Sequence, residues 1–63
     1  MQRIEKTKSK NRIRYCINYW ENDNCYTVTE SFLSNSGHYV FKKKHGTFRT
    51  IEESRTKVHE LTK

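Results

Sequence analysis

Hydrophobic and polar residues alternate along the first half of the chain. From Arg12 to Trp20 every second residue is apolar or aromatic, namely Ile13, Tyr15, Ile17 and Tyr19. This period of two predicts a β-strand. Cys25 to Leu33 repeats the alternation, and the polar Glu21-Asn22-Asp23-Asn24 between the two segments predicts a turn. The two segments therefore predict an antiparallel hairpin.

The second half predicts one more strand and a helix. Ser34-Asn35-Ser36-Gly37 reads as a turn, His38 to Phe48 as a third strand, and Ile51 to Leu61 as the helix. Thr50 is a good N-cap, and Glu53 stands three residues later, as in a capping box. Ile51, Val58 and Leu61 recur at helical spacing and give the helix a narrow apolar stripe.

Strand register decides which side chains share a face. A first turn of four residues pairs Trp20 with Cys25, and this register aligns the apolar sides of the first two strands. A second turn of four residues extends the same face by pairing Tyr39 with Phe32 and Phe41 with Glu30.

Two charged residues fit this apolar face poorly. We expect Glu30 to accept from the Tyr15 hydroxyl or to lie at the rim, and Lys43 to be accommodated by a β-bulge or by snorkelling. The expected fold class is α+β: a three-stranded antiparallel sheet packed on one C-terminal helix, with residues 12–63 as a single domain.

Charge is distributed unevenly along the 63 residues, whose formal net charge is +6. Residues 1–11 are polar and basic, which predicts a flexible basic arm. Lys42, Lys43, Lys44 and Arg49 form a second basic cluster, whereas no Lys or Arg stands between Tyr15 and Phe41. Such clustering favours a polyanionic partner, double-stranded DNA first, although charge also keeps small proteins soluble.

The segment Gly46-Thr47-Phe48-Arg49-Thr50-Ile51-Glu52-Glu53-Ser54 resembles a known signature. It is similar to the strand-to-helix junction of the plant ethylene-response-factor DNA-binding domain and of the arm-type DNA-binding domain of phage and transposon integrases. The resemblance implies three antiparallel strands on a C-terminal helix, with the opposite sheet face in the DNA major groove. It also implies that Arg and Trp on the strands contact bases and phosphates, a pattern that Arg12, Arg14 and Trp20 follow. The second strand departs from it, because that strand has no Arg or Lys.

The sheet face away from the helix is the expected nucleic-acid site. Arg and Asn can read base edges there, while Lys and Thr anchor to phosphates. The alternative is an ordinary solvated face. The candidate residues are Arg12, Arg14, Asn18, Trp20, Thr27, Thr29, Lys42, Lys44 and Arg49.

Other chemistry finds little support in the sequence. The three histidines lie in different elements and are expected at the surface, and no spacing resembles a metal site or a nucleophile with its base. We therefore expect no enzyme, no metal, no cofactor and no small-molecule substrate. Cys16 and Cys25 are expected to be too far apart to bridge, which suits a reducing cytoplasm. No segment suits a membrane span or a signal peptide.

Two functions from different classes follow. The first is a small DNA-binding protein, an accessory or regulatory protein of a phage or mobile element. The second is a small phage-type inhibitor whose basic face occupies an acidic or nucleic-acid-binding surface of a host protein. Single-stranded RNA binding is less favoured, because the predicted strand register leaves only one aromatic residue, Trp20, on the sheet face away from the helix.

Overall fold

The computed structural model describes residues 1–8 and 10–63. Within these residues the strands are β1 (Gln2–Lys6), β2 (Ile13–Trp20), β3 (Cys25–Leu33) and β4 (Tyr39–Phe48), followed by helix α1 (Ile51–Leu61). The strands form an antiparallel sheet in the order β1-β2-β3-β4, and α1 packs against β2, β3 and β4. The predicted α+β class is confirmed, but the described residues form four strands where three were expected.

The additional strand is β1, so the prediction of a flexible arm is wrong for Gln2–Lys6. A tight turn at Asn11 and Arg12 returns the chain to β2; Lys10 and Ile13 exchange both backbone hydrogen bonds at 3.0 Å. The two central residues have φ of 55° and 67°, as the turns that suit the twist of a hairpin require. The arm therefore pairs with the otherwise open edge of β2. Ser9 lies outside the described residues.

Hydrogen bonds next to β1 and an ion pair with α1 also hold this strand in place. The Thr7 backbone N–H donates to the Tyr15 carbonyl at 2.9 Å, and the Tyr15 N–H donates to the Thr7 hydroxyl at 3.0 Å. Arg55 of α1 donates through Nε to Glu5 at 2.9 Å and also pairs with it through a terminal guanidinium nitrogen. The hydrogen bond and charge of Arg55 lower the pKa of Glu5. The first strand is thus linked to the helix.

The register between β2 and β3 is the predicted one. Trp20 pairs with Cys25, Ile17 with Val28, and Ile13 with Phe32. Ile17 is 2% exposed and Val28 is fully buried. Tyr15 and Ile17 lie beside Arg55 and Val58 of α1, so the helix covers this side of the sheet. We call it the inner face, and the opposite side the outer face.

The predicted register between β3 and β4 is wrong. Leu33 pairs with Tyr39, so the loop between these strands has one residue more than expected and includes His38. Ser34 donates to the His38 carbonyl at 2.8 Å, and Gly37 supplies the positive φ of 86° that the loop needs. Phe41 pairs with Ser31 instead of Glu30. Because a shift of one residue inverts a strand, Tyr39 and Phe41 belong to the outer face.

Two bulges in β4 then bring partners to Glu30. The ladder skips Lys42 and His45, and both of these extra residues contact the Glu30 carboxylate. The distances are 2.6 Å from His45 Nε2 and 3.2 Å from Lys42 Nζ. The expected bulge is therefore present, but the expected Tyr15 partner is replaced.

Glu30 is 6% exposed, so its charge is buried with two basic neighbours. Burial by itself raises the pKa of Glu30, but the hydrogen bonds and charges of His45 and Lys42 bring the pKa below its ordinary value. The Tyr15 ring lies edge-on to His45 at 5.7 Å between centroids. The His45 side chain is 12% exposed, so the prediction of a surface histidine is wrong at this position.

Helix α1 has the predicted bounds and the predicted cap. The Thr50 hydroxyl accepts from the Glu53 N–H at 3.2 Å and donates to the Glu53 carboxylate at 3.2 Å. Ser54 is fully buried, and its hydroxyl donates to the Thr50 carbonyl at 3.3 Å. Before the helix, Gly46 has a φ of 153°, and a Cβ there would come within 2.9 Å of the Phe48 ring. Because Gly46 has no side chain, the Phe48 ring can lie against the Gly46 backbone.

The cysteines follow the prediction. Cys16 pairs with Thr29 across the sheet, and both cysteines are free thiols in the part of the chain that the structure describes. Among residues 1–8 and 10–63, no helix has the length and apolar character to cross a membrane.

Candidate nucleic-acid interface

The outer face carries a long shallow groove of about 530 Å³. Its lining comes from all four described strands and from the loop before β4. The lining residues are Met1, Arg3, Arg14, Asn18, Trp20, Thr29, Ser31, Gly37, His38, Tyr39 and Phe41. The groove therefore spans the sheet from β1 to β4, and its lining combines small polar residues with long and aromatic ones.

A hydrogen-bonded network forms the floor of this groove. The Asn18 amide donates to the Thr29 hydroxyl at 3.1 Å and lies 3.5 Å from the Thr27 hydroxyl. Trp20 Nε1 donates to the same Thr27 hydroxyl at 2.8 Å. Asn18 is 3% exposed and Thr27 is 5% exposed. These polar groups satisfy one another within the sheet.

Aromatic rings rise at both ends of the groove. Trp20 stands at the end of β2 and is 39% exposed, whereas Phe41 on β4 is 62% exposed. Tyr39 lies two residues before Phe41, and the Arg14 guanidinium stacks over its ring at 3.7 Å from the centroid. The Arg14 Nε is buried and has no acceptor among the described residues, so the ring contact holds this side chain.

The charge of the groove has one sign. Arg3 and Arg14 line it, and Lys44 joins the same face because it pairs with Thr29. Among the described residues, no Asp or Glu lines the groove. The groove thus combines positive charge with exposed rings.

Six of the nine predicted site residues belong to the outer face by their register. They are Arg14, Asn18, Trp20, Thr27, Thr29 and Lys44. Arg14 and Trp20 lie at the margins of the groove, where a ligand can reach them. Asn18 and Thr27 are buried, and the Asn18 amide N–H and the Thr27 hydroxyl oxygen already have partners in the sheet, so these two groups meet a base edge only by leaving those bonds.

The other three predicted residues lie elsewhere. The Arg12 guanidinium donates to the Leu33 carbonyl at 2.7 and 3.1 Å and closes the end of the sheet. Lys42 pairs with Glu30 on the inner face, so its predicted place on the outer face is wrong. Arg49 is exposed in the junction between β4 and α1.

Among the groove residues that the sequence prediction missed are Arg3, Tyr39 and Phe41. Arg3 was assigned to a mobile arm, and the two aromatic residues to the inner face. One signal was available for the latter pair. Gly37 is the usual residue at the left-handed end of a longer hairpin loop, and such a loop places Tyr39 and Phe41 outside.

A second groove lies on the helix side, between the first turn and the end of α1. Its volume is about 230 Å³, and Lys8, Lys10 and Lys63 contribute to its lining. It has no exposed aromatic cluster, since Tyr15 is half-buried there. Across residues 1–8 and 10–63, no three His, Cys, Asp or Glu side chains come together as metal ligands do.

Comparisons of the chain with protein-family models, curated proteins and solved structures gave no match.

Proposed function

We propose that the protein binds nucleic acid through the outer-face groove. The carrying observation is the combination of Arg3, Arg14 and Lys44 on one face with a lining that includes no acidic side chain among the described residues. A surface of one sign attracts a polyanion, and phosphate contacts by Arg and Lys supply most of the affinity of non-specific nucleic-acid binding.

The proposal is broader than recognition of a DNA major groove. Major-groove reading needs side chains free to pair with base edges, and Asn18 already donates to Thr29 on the floor. Arg14 and Lys44 remain suited to phosphates. A role as an accessory or regulatory protein of a phage or mobile element stays a prediction.

The test is a titration of labelled random-sequence nucleic acid, single-stranded and duplex, at several salt concentrations. Binding should weaken steeply as salt rises, because each phosphate contact releases counterions. The double variant Arg3→Glu/Lys44→Glu should weaken binding by at least about 10-fold. A matched control is Lys8→Glu/Lys63→Glu, which makes the same change in net charge beside the helix-side groove.

The control separates a local site from general attraction. If both double variants lose the same affinity, net charge and not the outer face drives binding, and the proposal fails. It also fails if affinity does not depend on salt.

A protein partner is the second candidate. It is favoured by exposed apolar side chains that phosphate binding does not require, such as Phe32 at 39% and Val40 at 42% exposure. An inhibitor that occupies an acidic or nucleic-acid-binding surface of a host protein fits this character. Under this reading, Trp20 fluorescence responds to the protein partner and not to nucleic acid.

A further inference from the structure

The aromatic rings at the two ends of the outer-face groove point to the form of nucleic acid that it takes. We infer that the groove binds a single strand, with bases stacked on Trp20 and Phe41 and phosphates held by Arg3, Arg14 and Lys44. This inference rests on the proposed function, since it specifies the ligand class of the same groove.

The corrected register supplies the rings. With Tyr39 and Phe41 on the inner face, Trp20 would be the only aromatic residue of the outer face, too few for a stacking surface. With Leu33 paired to Tyr39, three aromatic residues border one groove. Aromatic side chains on which successive bases stack are the common device of proteins that bind single strands.

The accessibility of the base faces distinguishes a duplex from a single strand as a ligand for these rings. In a duplex each base is stacked on its neighbours, so a protein ring meets only base edges or the backbone. In a single strand the faces are accessible and every base offers one, whatever the sequence. Exposed rings beside a floor whose polar groups are already paired suit stacking better than base-edge reading.

Two of the three rings, those of Trp20 and Tyr39, are held before any ligand arrives. The Trp20 indole is fixed by its hydrogen bond to Thr27, and the Tyr39 ring lies under the Arg14 guanidinium. A ring that is already ordered loses little side-chain entropy on binding. Arg14 can therefore contact a phosphate or a base while it keeps its contact with Tyr39.

The length of the groove fits several nucleotides. Trp20 and Phe41 pair with Cys25 and Ser31, which stand six residues apart on β3. At about 3.3 Å per residue this separation is roughly 20 Å along the strand direction. For comparison, one OB-fold that binds a single strand covers about 4 to 16 nucleotides.

The charge of the groove favours a nucleic acid over a second copy of the chain. Two copies meeting at this face would bring Arg3, Arg14 and Lys44 of each against the same residues of the other. Such like-charge contact opposes association. A polyanionic strand neutralises these residues while its bases cover the rings.

The experiment compares labelled oligo(dT) and oligo(rU) of about 15 nucleotides with a duplex of equal length, by anisotropy at about 50 mM salt. Both single strands should bind at least about 10-fold more tightly than the duplex. Because Trp20 is the only tryptophan, quenching of its fluorescence should follow the same titration. A difference between the two strands would identify whether DNA or RNA is preferred.

Two phenylalanine variants test the stacking itself. Phe41→Ala should weaken single-strand binding by about 5- to 100-fold. Phe32→Ala removes an exposed ring on the opposite face, at 39% exposure against 62% for Phe41, and should leave the affinity unchanged. Far-UV circular dichroism checks that both variants keep the native fold.

The outcomes separate this inference from the proposed function. Duplex binding as tight as single-strand binding, or equal effects of Phe41→Ala and Phe32→Ala, overturns the single-strand inference and leaves nucleic-acid binding standing. If neither form binds at low salt, the proposed function fails as well. Self-association through the outer face would then be detected by sedimentation of the wild type and loss of the dimer in Phe41→Ala.

Discussion

The two faces of the sheet contain alternate residues of the same strands but achieve burial differently. On the inner face, Ile17 and Val28 are covered by α1. On the outer face, Cys16 and Asn18 are as well buried, at 1% and 3% exposure, yet no helix covers them in the part of the chain that the structure describes. Trp20 and Arg14 line the same groove as Asn18.

Polar groups are also treated differently on the two faces. The inner face contains one buried carboxylate, Glu30, and both bulges of β4 supply a basic partner to it. The outer face carries neutral polar groups that pair with one another. Charge pairing and packing therefore close the inner face around Ile17, Val28 and Glu30, although Phe32 and Val40 stay exposed at its end, while the outer face leaves rings and cations at its margins. This difference indicates that the outer face is available to a ligand.

Truncation of one apolar side chain on each face should give the largest contrast. Ile17→Ala should lower the free energy of unfolding by about 2 to 5 kcal/mol, because it leaves a cavity under α1. This is a large part of the total of about 3 to 9 kcal/mol expected for a chain of this size. Phe41→Ala should change it by less than about 0.5 kcal/mol. Urea unfolding followed by far-UV circular dichroism measures both values.

A large loss of stability in Phe41→Ala would contradict the contrast between a covered inner face and an open outer face. It would mean that the Phe41 ring is covered in solution and that the outer face is not open.

Glu30 should make stability depend on pH. Its pKa is lowered in the folded protein, so its ionised form contributes stability that is complete above its ordinary value of 4.5 and is lost as pH falls through the lowered pKa. Glu30→Gln should cost about 1 to 3 kcal/mol at neutral pH and should remove most of this acid dependence. Thermal unfolding of the wild type and of Glu30→Gln at a series of pH values from neutral to acidic measures this pH dependence of stability.

Some acid dependence should remain in Glu30→Gln, since the pKa of Glu5 is lowered as well by the Arg55 hydrogen bond. Glu21→Gln, in the exposed turn after β2, is the matched control and should keep the wild-type profile. An unchanged profile in Glu30→Gln would show that the pair with His45 and Lys42 does not form in solution.

The smallest expected effect concerns the link between β1 and α1. A double-mutant cycle with Glu5→Ala and Arg55→Ala should give a small favourable coupling free energy at low salt, because both side chains of this pair are exposed to solvent. The coupling should fade at about 1 M salt. Nuclear Overhauser contacts between Arg3 and Asn18 give an independent measure of β1 pairing. The absence of both the coupling and these contacts would show that Gln2–Lys6 is a mobile arm in solution and does not pair with β2.

The well-predicted parts of the fold are those with local signals. The β2–β3 register followed from two matching alternations and one four-residue turn, and the bounds of α1 followed from the Thr50 cap and the apolar stripe. The missed strand β1 had no such alternation. Its pairing depends on the turn at Asn11 and Arg12 and on Arg55, which is 50 residues away from Glu5 in the chain.

The candidate site was predicted only in part. Alternation placed Arg14 and Trp20 on the outer face, because their positions depend on β2 alone. Alternation could not indicate that the Asn18 amide donates a hydrogen bond to Thr29, since Thr29 lies on the neighbouring strand β3. Nor could it place Arg12, whose guanidinium binds a carbonyl 21 residues away.

The sequence by itself determined the strand and helix segments of the central fold and the basic character of the chain, because these depend on neighbouring residues and on composition. Only the tertiary structure decided which face holds Tyr39 and Phe41 and which side chains meet Glu30. One additional loop residue inverts a strand, and two bulges in β4 redirect Lys42 and His45. Apart from Gly37 in the loop before β4, these changes of register have no signature in the local sequence, yet they place the rings beside the positive charge.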